Sequence, residues 1–173
     1  MTRIPMLDPA NEPAELKPVF DQLRRTRGRV PGMYRTLAHQ PAILAAHRAY
    51  FHAALDSGIL PRPFKEKIAF KVARLRASPY CTGSHRSYAL KHGVSAEELE
   101  AIDRSDYGTL DAREAVALQF AEAMTRSRGH LDAVVVENMK AHYAAGEIVE
   151  IAALVGIMDL ACTLAATFGL QPD

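Results

Sequence analysis

Apolar residues recur at helical spacing along nearly the whole chain, and no segment shows the apolar–polar alternation of a half-buried β-strand. Glycine and proline divide this pattern into segments of helix length, since glycine often ends a helix and proline favours its first turn. The clearest apolar stripe consists of Phe64, Ile68, Val72 and Leu75. The sequence therefore predicts an all-α fold, a bundle of about seven or eight helices.

The strongest local signal for a helix start is the pair Ser78–Pro79, because serine is a favoured N-cap residue and proline a favoured first helical residue. This pair predicts a helix from Pro79 to His92, with Gly93 as its C-terminal stop. Further helices are predicted from Pro13 to about Arg27, from Leu131 to Ala144 and from Glu147 to Phe168.

The last predicted helix is apolar around most of its circumference, so it must be covered on all sides by its own domain or by another subunit. We favour the second possibility and expect a homo-oligomer. The apolar residues of this helix are Ile148, Ile151, Leu154, Val155, Met158, Leu160 and Leu164.

A chain of 173 residues with 49% apolar content can bury one core, and we expect residues 1–173 to form a single domain. Its 21 basic and 20 acidic residues give a net charge of +1 and are spread along the chain. Neither a nucleic acid nor an anionic membrane is therefore an expected partner. A dense basic cluster, Arg24, Arg25, Arg27 and Arg29, is interpreted as a solvated helix end.

The two cysteines, Cys81 and Cys162, are too few for a disulfide framework and lack the spacing of a metal knuckle. The N-terminal residues contain no apolar signal-peptide core, and no uninterrupted run of about 18 apolar residues occurs, so neither secretion nor a membrane span is expected. We therefore expect a protein of the reducing cytoplasm, with neither a cofactor nor a bound metal.

The residues best suited to chemistry lie between Glu66 and His85. If Ser78 caps the helix, Cys81 lies in the first turn, where free backbone N–H groups and the helix dipole stabilise a thiolate. His85 lies one turn later and could take the thiol proton, while Glu66, on the preceding helix, could orient or reprotonate that histidine. Cys162, in the apolar segment LACTLAA, has no nearby base or cation and is interpreted as a core residue.

The spacing of these residues resembles the signature of the AhpD-like / carboxymuconolactone decarboxylase superfamily, a Glu followed after eleven residues by C-x-x-C-x-x-x-H. Glu66 takes the place of the Glu, Ser78 that of the first Cys, Cys81 that of the second and His85 that of the His. The flanking segments VPGMYRTLAHQPAIL and KHGVSAEELEAID resemble the family as well. The resemblance implies an AhpD-like helical bundle that assembles into trimers or hexamers.

The resemblance also implies a mechanism from the peroxidase branch of the family. There the second cysteine attacks the peroxide, the His and Glu relay protons, and the first cysteine resolves the sulfenic acid. Cys81, His85 and Glu66 take the first three roles here, whereas Ser78 cannot form a disulfide. Turnover would need an external thiol, a cysteine of another subunit or Cys162, and we favour the external thiol. The leading prediction is a thiol-dependent, alkylhydroperoxidase-related antioxidant protein.

Three other interpretations stay open. A decarboxylase-type lyase acting on a carboxylated lactone would use His85 and Glu66 to supply a proton, with Arg86 or Arg74 holding the anion. A metal ion could be shared by Cys81, His85 and Glu66. Finally, an oligomeric helical protein could keep the motif for packing and bind a small molecule without catalysis.

Overall fold

The structure is a computed structural model that describes residues 2–172, and within these residues it contains nine α-helices and no β-strand. The predicted all-α fold is confirmed. A 3-10 turn at Ala14–Leu16 precedes the first helix, and a π-helical turn at His52–Asp56 extends the third. The helices are α1 (Lys17–Arg27), α2 (Gly32–Leu37), α3 (Pro41–Phe51), α4 (Arg62–Leu75), α5 (Pro79–Lys91), α6 (Ala96–Asp103), α7 (Ala112–Ser127), α8 (Ala133–His142) and α9 (Ala145–Phe168).

The start of α5 follows the local sequence signal. Ser78 is its N-cap, and the Ser78 hydroxyl accepts a hydrogen bond from the Cys81 backbone N–H at 3.4 Å. The helix predicted from Leu131 to Ala144 is shorter in the structure because Asp132 and Tyr143 have extended backbone conformations. The Ser78 cap therefore predicted the start of α5 more accurately than apolar periodicity predicted the two ends of α8.

Helix α4 lies at the centre of the fold and packs against α5, α7 and α9. Phe64, Ile68 and Val72 of the predicted stripe are buried, and Leu75, at the last residue of the helix, is half-buried. These side chains lie in the core. The three neighbouring helices cover α4 on several sides. One of those sides directs Glu66 towards α5.

Three buried lysines of α4 fix its orientation in the bundle. Each buried ammonium group contacts a carboxylate, which offsets the cost of removing it from water. These pairs tie α4 to α6, α7 and α9 and hold the helix that carries Glu66. The pairs are Lys65 with Glu150 at 2.8 Å, Lys67 with Glu98 at 2.8 Å and Glu114 at 2.7 Å, and Lys71 with Glu122 at 3.4 Å.

Helix α9 is buried along one side and partly exposed along the other. Ile151, Leu154 and Met158 are fully buried, whereas Leu160 is 45% exposed and borders an apolar surface groove with Ile43 of α3. The helix is long and apolar enough to cross a membrane, but 44% of its most apolar window is buried within the bundle, and a core helix meets the same criteria. That a second subunit covers the exposed side stays a prediction.

Candidate active site

Cys81 lies in the first turn of α5, as the Ser78–Pro79 signal predicts. Its side chain is buried, with 3% of the residue exposed. The Ser78 cap fixes the start of the helix and places Cys81 at its third residue. Such a position stabilises a negatively charged sulfur. The cap and the first turn of α5 therefore favour a thiolate at Cys81 even without contacts from other helices.

His85 and Glu66 meet between α5 and α4. The distance from His85 Nδ1 to Glu66 Oε2 is 2.7 Å, and the Glu66 side chain is completely buried. Burial raises the pKa of Glu66, but the charge and hydrogen bond of His85, with those of Arg62, outweigh this effect and hold the pKa below its usual value. The carboxylate is therefore ionised near neutral pH and accepts the Nδ1 proton, so His85 Nε2 is the nitrogen left to exchange protons with a bound molecule.

Arg62 extends the His85–Glu66 pair, although it was not among the predicted site residues. Arg62 Nε donates to Glu66 Oε1 at 2.7 Å, and a second guanidinium nitrogen donates to the same oxygen. The guanidinium group also contacts Asp56 at the end of the π-helical turn. Because Arg62 and Glu66 are four residues apart on α4, helical spacing alone could have indicated the pair. Arg62 holds Glu66 in place, and Glu66 in turn orients His85.

The surroundings of Cys81 favour its thiolate. The Cys162 thiol, hydrogen-bonded to the Cys81 sulfur, lowers the pKa of Cys81 to about 6 against the opposing effect of burial, and the Ser78 hydroxyl and the charge of His85 lower it further. A thiol with this pKa is mostly ionised at neutral pH, and the thiolate is the nucleophilic form. Cys81 therefore has surroundings that suit a nucleophile.

Cys162 is the main surprise of the site. The sequence interpretation as a core residue is correct about burial, since the residue is 2% exposed. However, α9 places its thiol against Cys81, and the hydrogen bond to the Cys81 sulfur, together with burial, raises the pKa of Cys162. No local pattern in LACTLAA indicates this contact, because it depends on how α9 packs on α5.

A cavity of about 60 Å³ adjoins Cys81 and His85. Its wall is aromatic: Tyr34, Phe51, Tyr80 and Tyr88 contribute to it, and Ala161 of α9 borders it. The Tyr80 hydroxyl accepts a hydrogen bond from the Met33 backbone N–H at 3.1 Å, which fixes the start of α2 against α5. The Cys81 sulfur therefore faces a small space with a partly aromatic wall.

Arg27 supplies a positive charge at this cavity. Its guanidinium group lies 5.7 Å from the ring centre of Tyr34 and 5.3 Å from that of Tyr88, and it donates to the Tyr88 hydroxyl at 3.3 Å. The interpretation of the arginine cluster as a solvated helix end is therefore wrong for Arg27. By contrast, Arg74 is paired with Asp103 at 2.6 Å, and neither it nor Arg86 borders the cavity.

His47 of α3 is a second residue that sequence reasoning did not find. It is 7% exposed, both ring nitrogens lack a hydrogen-bond partner among residues 2–172, and burial lowers its pKa. Its ring stacks on Phe51 at 5.9 Å, and Phe51 in turn lies 6.2 Å from the His85 ring. A neutral, buried imidazole thus forms part of the aromatic wall.

A larger open cleft of about 640 Å³ lies outside the cavity and shares Arg27, Tyr34, Phe51 and Tyr88 with it. These four side chains separate solvent from the sulfur.

A metal site at Cys81, His85 and Glu66 is not supported, since no three His, Cys, Asp or Glu side chains within residues 2–172 are grouped to hold an ion.

Fold and site together define an all-helical protein with a buried, low-pKa cysteine beside a histidine–glutamate pair. The model of the carboxymuconolactone decarboxylase family matches residues 41–123, a range that contains Glu66, Ser78, Cys81 and His85 but not Cys162. This match agrees with the resemblance of the sequence motif and supports the AhpD-like / carboxymuconolactone decarboxylase superfamily. An uncharacterized protein of Cupriavidus necator is 35% identical over 63 residues, which are 36% of this chain and 56% of that protein.

Solved structures share the fold at low sequence identity. An uncharacterized peroxidase-related protein from Silicibacter sp. TM1040 superposes with a TM-score of 0.88 at 24% identity, covering 99% of this chain and 90% of that one. A second such protein, described as an alkylhydroperoxidase AhpD core, from Ralstonia eutropha JMP134, gives 0.87 at 22% identity, with coverages of 99% and 92%. The debrominase Bmp8, solved as a cysteine-to-alanine variant with 2,3,4-tribromopyrrole, gives 0.86 at 23% identity, with coverages of 100% and 92%.

Proposed function

We propose that this protein is a thiol-dependent peroxidase that uses Cys81 as its nucleophile and His85 with Glu66 as its proton relay. The observation that carries the proposal is a Cys81 whose pKa is lowered to about 6, facing a cavity that it shares with His85. A cysteine kept only for packing needs neither a hydrogen-bonded thiolate nor an oriented histidine. The match to the family model is consistent with this chemistry.

In the first step the Cys81 thiolate attacks the nearer oxygen of a hydroperoxide. A sulfur–oxygen bond forms, the oxygen–oxygen bond breaks, and the sulfur becomes a sulfenic acid. His85 has taken the thiol proton of Cys81 on Nε2 and gives this proton to the departing alkoxide, so the product is an alcohol, or water when the substrate is hydrogen peroxide. Glu66 supports the step because its carboxylate stabilises the positive charge of the protonated imidazole.

The substrate class follows from the shape of the site. A cavity of about 60 Å³ accommodates the peroxide group and little more. The remainder of a larger organic hydroperoxide would lie past Tyr34 and Tyr88 in the outer cleft. Arg27, between these two rings, would favour a hydroperoxide that carries an anionic group.

The test measures hydroperoxide consumption by the purified protein with a small dithiol as reductant. We expect turnover by the native protein, and mass spectrometry with a sulfenic-acid trap should place one oxygen on Cys81. Cys81→Ser should abolish both signals, while His130→Ala, at an exposed histidine far from the cavity, should change neither. A folded native protein whose Cys81 stays unmodified after peroxide treatment would overturn the proposal.

A decarboxylase-type lyase is the second candidate, and Arg27 is the observation that favours it. Its guanidinium group borders the cavity beside the rings of Tyr34 and Tyr88, so it could hold the carboxylate of a carboxylated lactone. This lyase activity would survive in Cys81→Ser and be lost in His85→Ala. The peroxidase activity, by contrast, would be lost in Cys81→Ser. The substrate panel should include 2,3,4-tribromopyrrole as well, because it is the ligand of the Bmp8 structure.

We also propose that the protein works as a cytoplasmic homo-oligomer, a trimer or a hexamer. The apolar groove bordered by Ile43, Tyr50 and Leu160 supports this proposal, since each of these side chains is more than two-fifths exposed in the single chain. Light scattering on the purified protein should give a mass of three or six chains. Leu160→Glu should lower that mass, and a monomeric native protein would contradict the proposal.

A further inference from the structure

We infer that Cys162 is the resolving thiol of this site: after a hydroperoxide oxidises Cys81 to its sulfenic acid, the Cys162 sulfur attacks Cys81 and closes an intrachain disulfide. The inference rests on the proposed function for its first step. It replaces the external thiol favoured on sequence grounds for the resolving step. It also assigns a role to a residue outside the segment that matches the family model.

The packing of the start of α5 on α9 carries the inference. Arg76, just before α5, donates a hydrogen bond at 3.3 Å to the hydroxyl of Thr163, the residue after Cys162. Ala161, the residue before Cys162, lines the same cavity as Cys81. Both cysteines are almost completely buried free thiols, at 3% and 2% exposed, and the pKa of each is shifted chiefly by the other, so the two thiols are neighbours. A resolving thiol in this position already lies on a helix that packs against the helix of its target.

Ser78 occupies the position of the missing cysteine and supports the pair. Its hydroxyl caps α5 by accepting from the Cys81 backbone N–H, and it acts to lower the pKa of both thiols. Ser78 therefore keeps the polar environment of the site but supplies no sulfur, and the second sulfur comes from α9. The redox pair of this chain is built between two helices, in contrast to a pair within one helical turn.

The two thiols differ in their access to the cavity, which gives them different roles. Cys81 borders the cavity, whereas α9 contributes Ala161 to the lining and Cys162 does not border it. A peroxide in the cavity consequently reaches Cys81 first. Cys162 is protected from direct oxidation and remains available as a thiol for the second step.

The second step balances without a further oxidant. The Cys162 sulfur forms a bond to the Cys81 sulfur, the sulfur–oxygen bond of the sulfenic acid breaks, and the Cys162 proton leaves with that oxygen as water. Oxidation of Cys81 removes the negative sulfur that raises the pKa of Cys162, so the second thiol becomes easier to ionise once it is needed. Two molecules of a small thiol then reduce the disulfide and leave as their own disulfide.

The experiment treats the native protein, in buffer free of thiols, with one equivalent of hydrogen peroxide and analyses a tryptic digest prepared without reduction. We expect peptide 77–86, which contains Cys81, to be linked to peptide 141–173, which contains Cys162. The protein should still run as a single chain on a non-reducing gel. An unlinked Cys162, or a covalent dimer through either cysteine, would overturn the inference.

Two variants separate this inference from the proposed function. In Cys162→Ser, which keeps a hydrogen-bond donor, the Cys81 sulfenic acid should change from a minor to the major trapped species and the linked peptide should disappear. Cys162→Ala, which fills the site without a polar group, should give the same product if the serine variant folds poorly. If Cys81 of the native protein forms a trapped sulfenic acid but no link to Cys162, the inference fails and the proposed function stands. If Cys81 does not react, the proposed function fails.

Discussion

Cys81 and Cys162 are equally buried thiols in contact with each other, yet their surroundings affect them in opposite ways. Cys81 lies in the first turn of α5, with a serine cap, a histidine one turn later and a cavity in front of it. Cys162 lies inside α9, where the backbone N–H groups already serve the helix. The pKa of Cys81 is lowered to about 6, whereas that of Cys162 is raised.

Burial therefore does not decide which of the two cysteines ionises more easily. Removal from water opposes ionisation of both thiols, and only Cys81 has a position at a helix start and a nearby histidine to offset it. The hydrogen bond between the sulfurs amplifies the difference, because one proton shared by two thiols favours ionisation of one and opposes ionisation of the other. Each sulfur thus helps to define the chemistry of its neighbour.

The largest effect should come from exchanging the sulfur of each cysteine in turn for oxygen. Cys81→Ser should reduce the rate of the first peroxide reaction by roughly 10³-fold or more, to the uncatalysed background, because the nucleophile is gone. Cys162→Ser should leave that first rate within about threefold of native, since the serine hydroxyl can still donate to the Cys81 thiolate and Cys162 bonds covalently to Cys81 only in the second step. Single-turnover peroxide loss measures both rates. Equal losses of this rate in the two variants would contradict the assignment of different roles to the two thiols.

Removal of His85 should have the next largest effect. His85→Ala takes away the group that protonates the departing alkoxide, and a positioned acid of this kind contributes on the order of 10²- to 10⁴-fold. The loss should be greatest for organic hydroperoxides with poor leaving groups, which distinguishes a proton donor from a packing residue. Steady-state rates across a series of hydroperoxides test this, with circular dichroism to verify folding. A uniform loss across the series would assign His85 to packing.

The pH dependence of alkylation should sharpen the comparison further. The rate at which iodoacetamide modifies Cys81 should rise with pH and level off above a midpoint near 6, because a lowered pKa means that the thiolate is present above it and lost below it. Cys162→Ala should move the midpoint upwards and lower the rate at pH 6 about tenfold, since the hydrogen bond to the thiolate is lost. Cys162→Ser should move it less. An unchanged midpoint in Cys162→Ala would show that the contact between the sulfurs does not stabilise the thiolate.

How far the sequence predicted this site depends on how local each feature is. The start of α5 at Ser78–Pro79 was predictable because an N-cap acts over three residues. The Arg62–Glu66 pair was also predictable in principle, because its two residues are four apart on one helix. The pairing of Cys81 with Cys162, and the insertion of Arg27 between two tyrosines, depend on the packing of distant helices. No periodicity within one helix specifies such a contact.

The smallest expected effect concerns Ser78, which serves both the helix and the sulfurs. Ser78→Ala removes the cap of α5 and should lower the free energy of unfolding by about 1 kcal/mol. It should also raise the alkylation midpoint of Cys81 slightly, because the hydroxyl is one of the groups that lower the pKa of the thiol.

Ser95→Ala provides the matched control, since Ser95 caps α6 through an equivalent hydrogen bond to the Glu98 backbone N–H at 3.1 Å, away from either cysteine. Thermal unfolding should show a similar loss in both variants, whereas only Ser78→Ala should alter the alkylation profile. If both variants leave that profile unchanged, Ser78 acts as a cap alone, and the difference between the two thiols rests on Cys162, His85 and the start of α5.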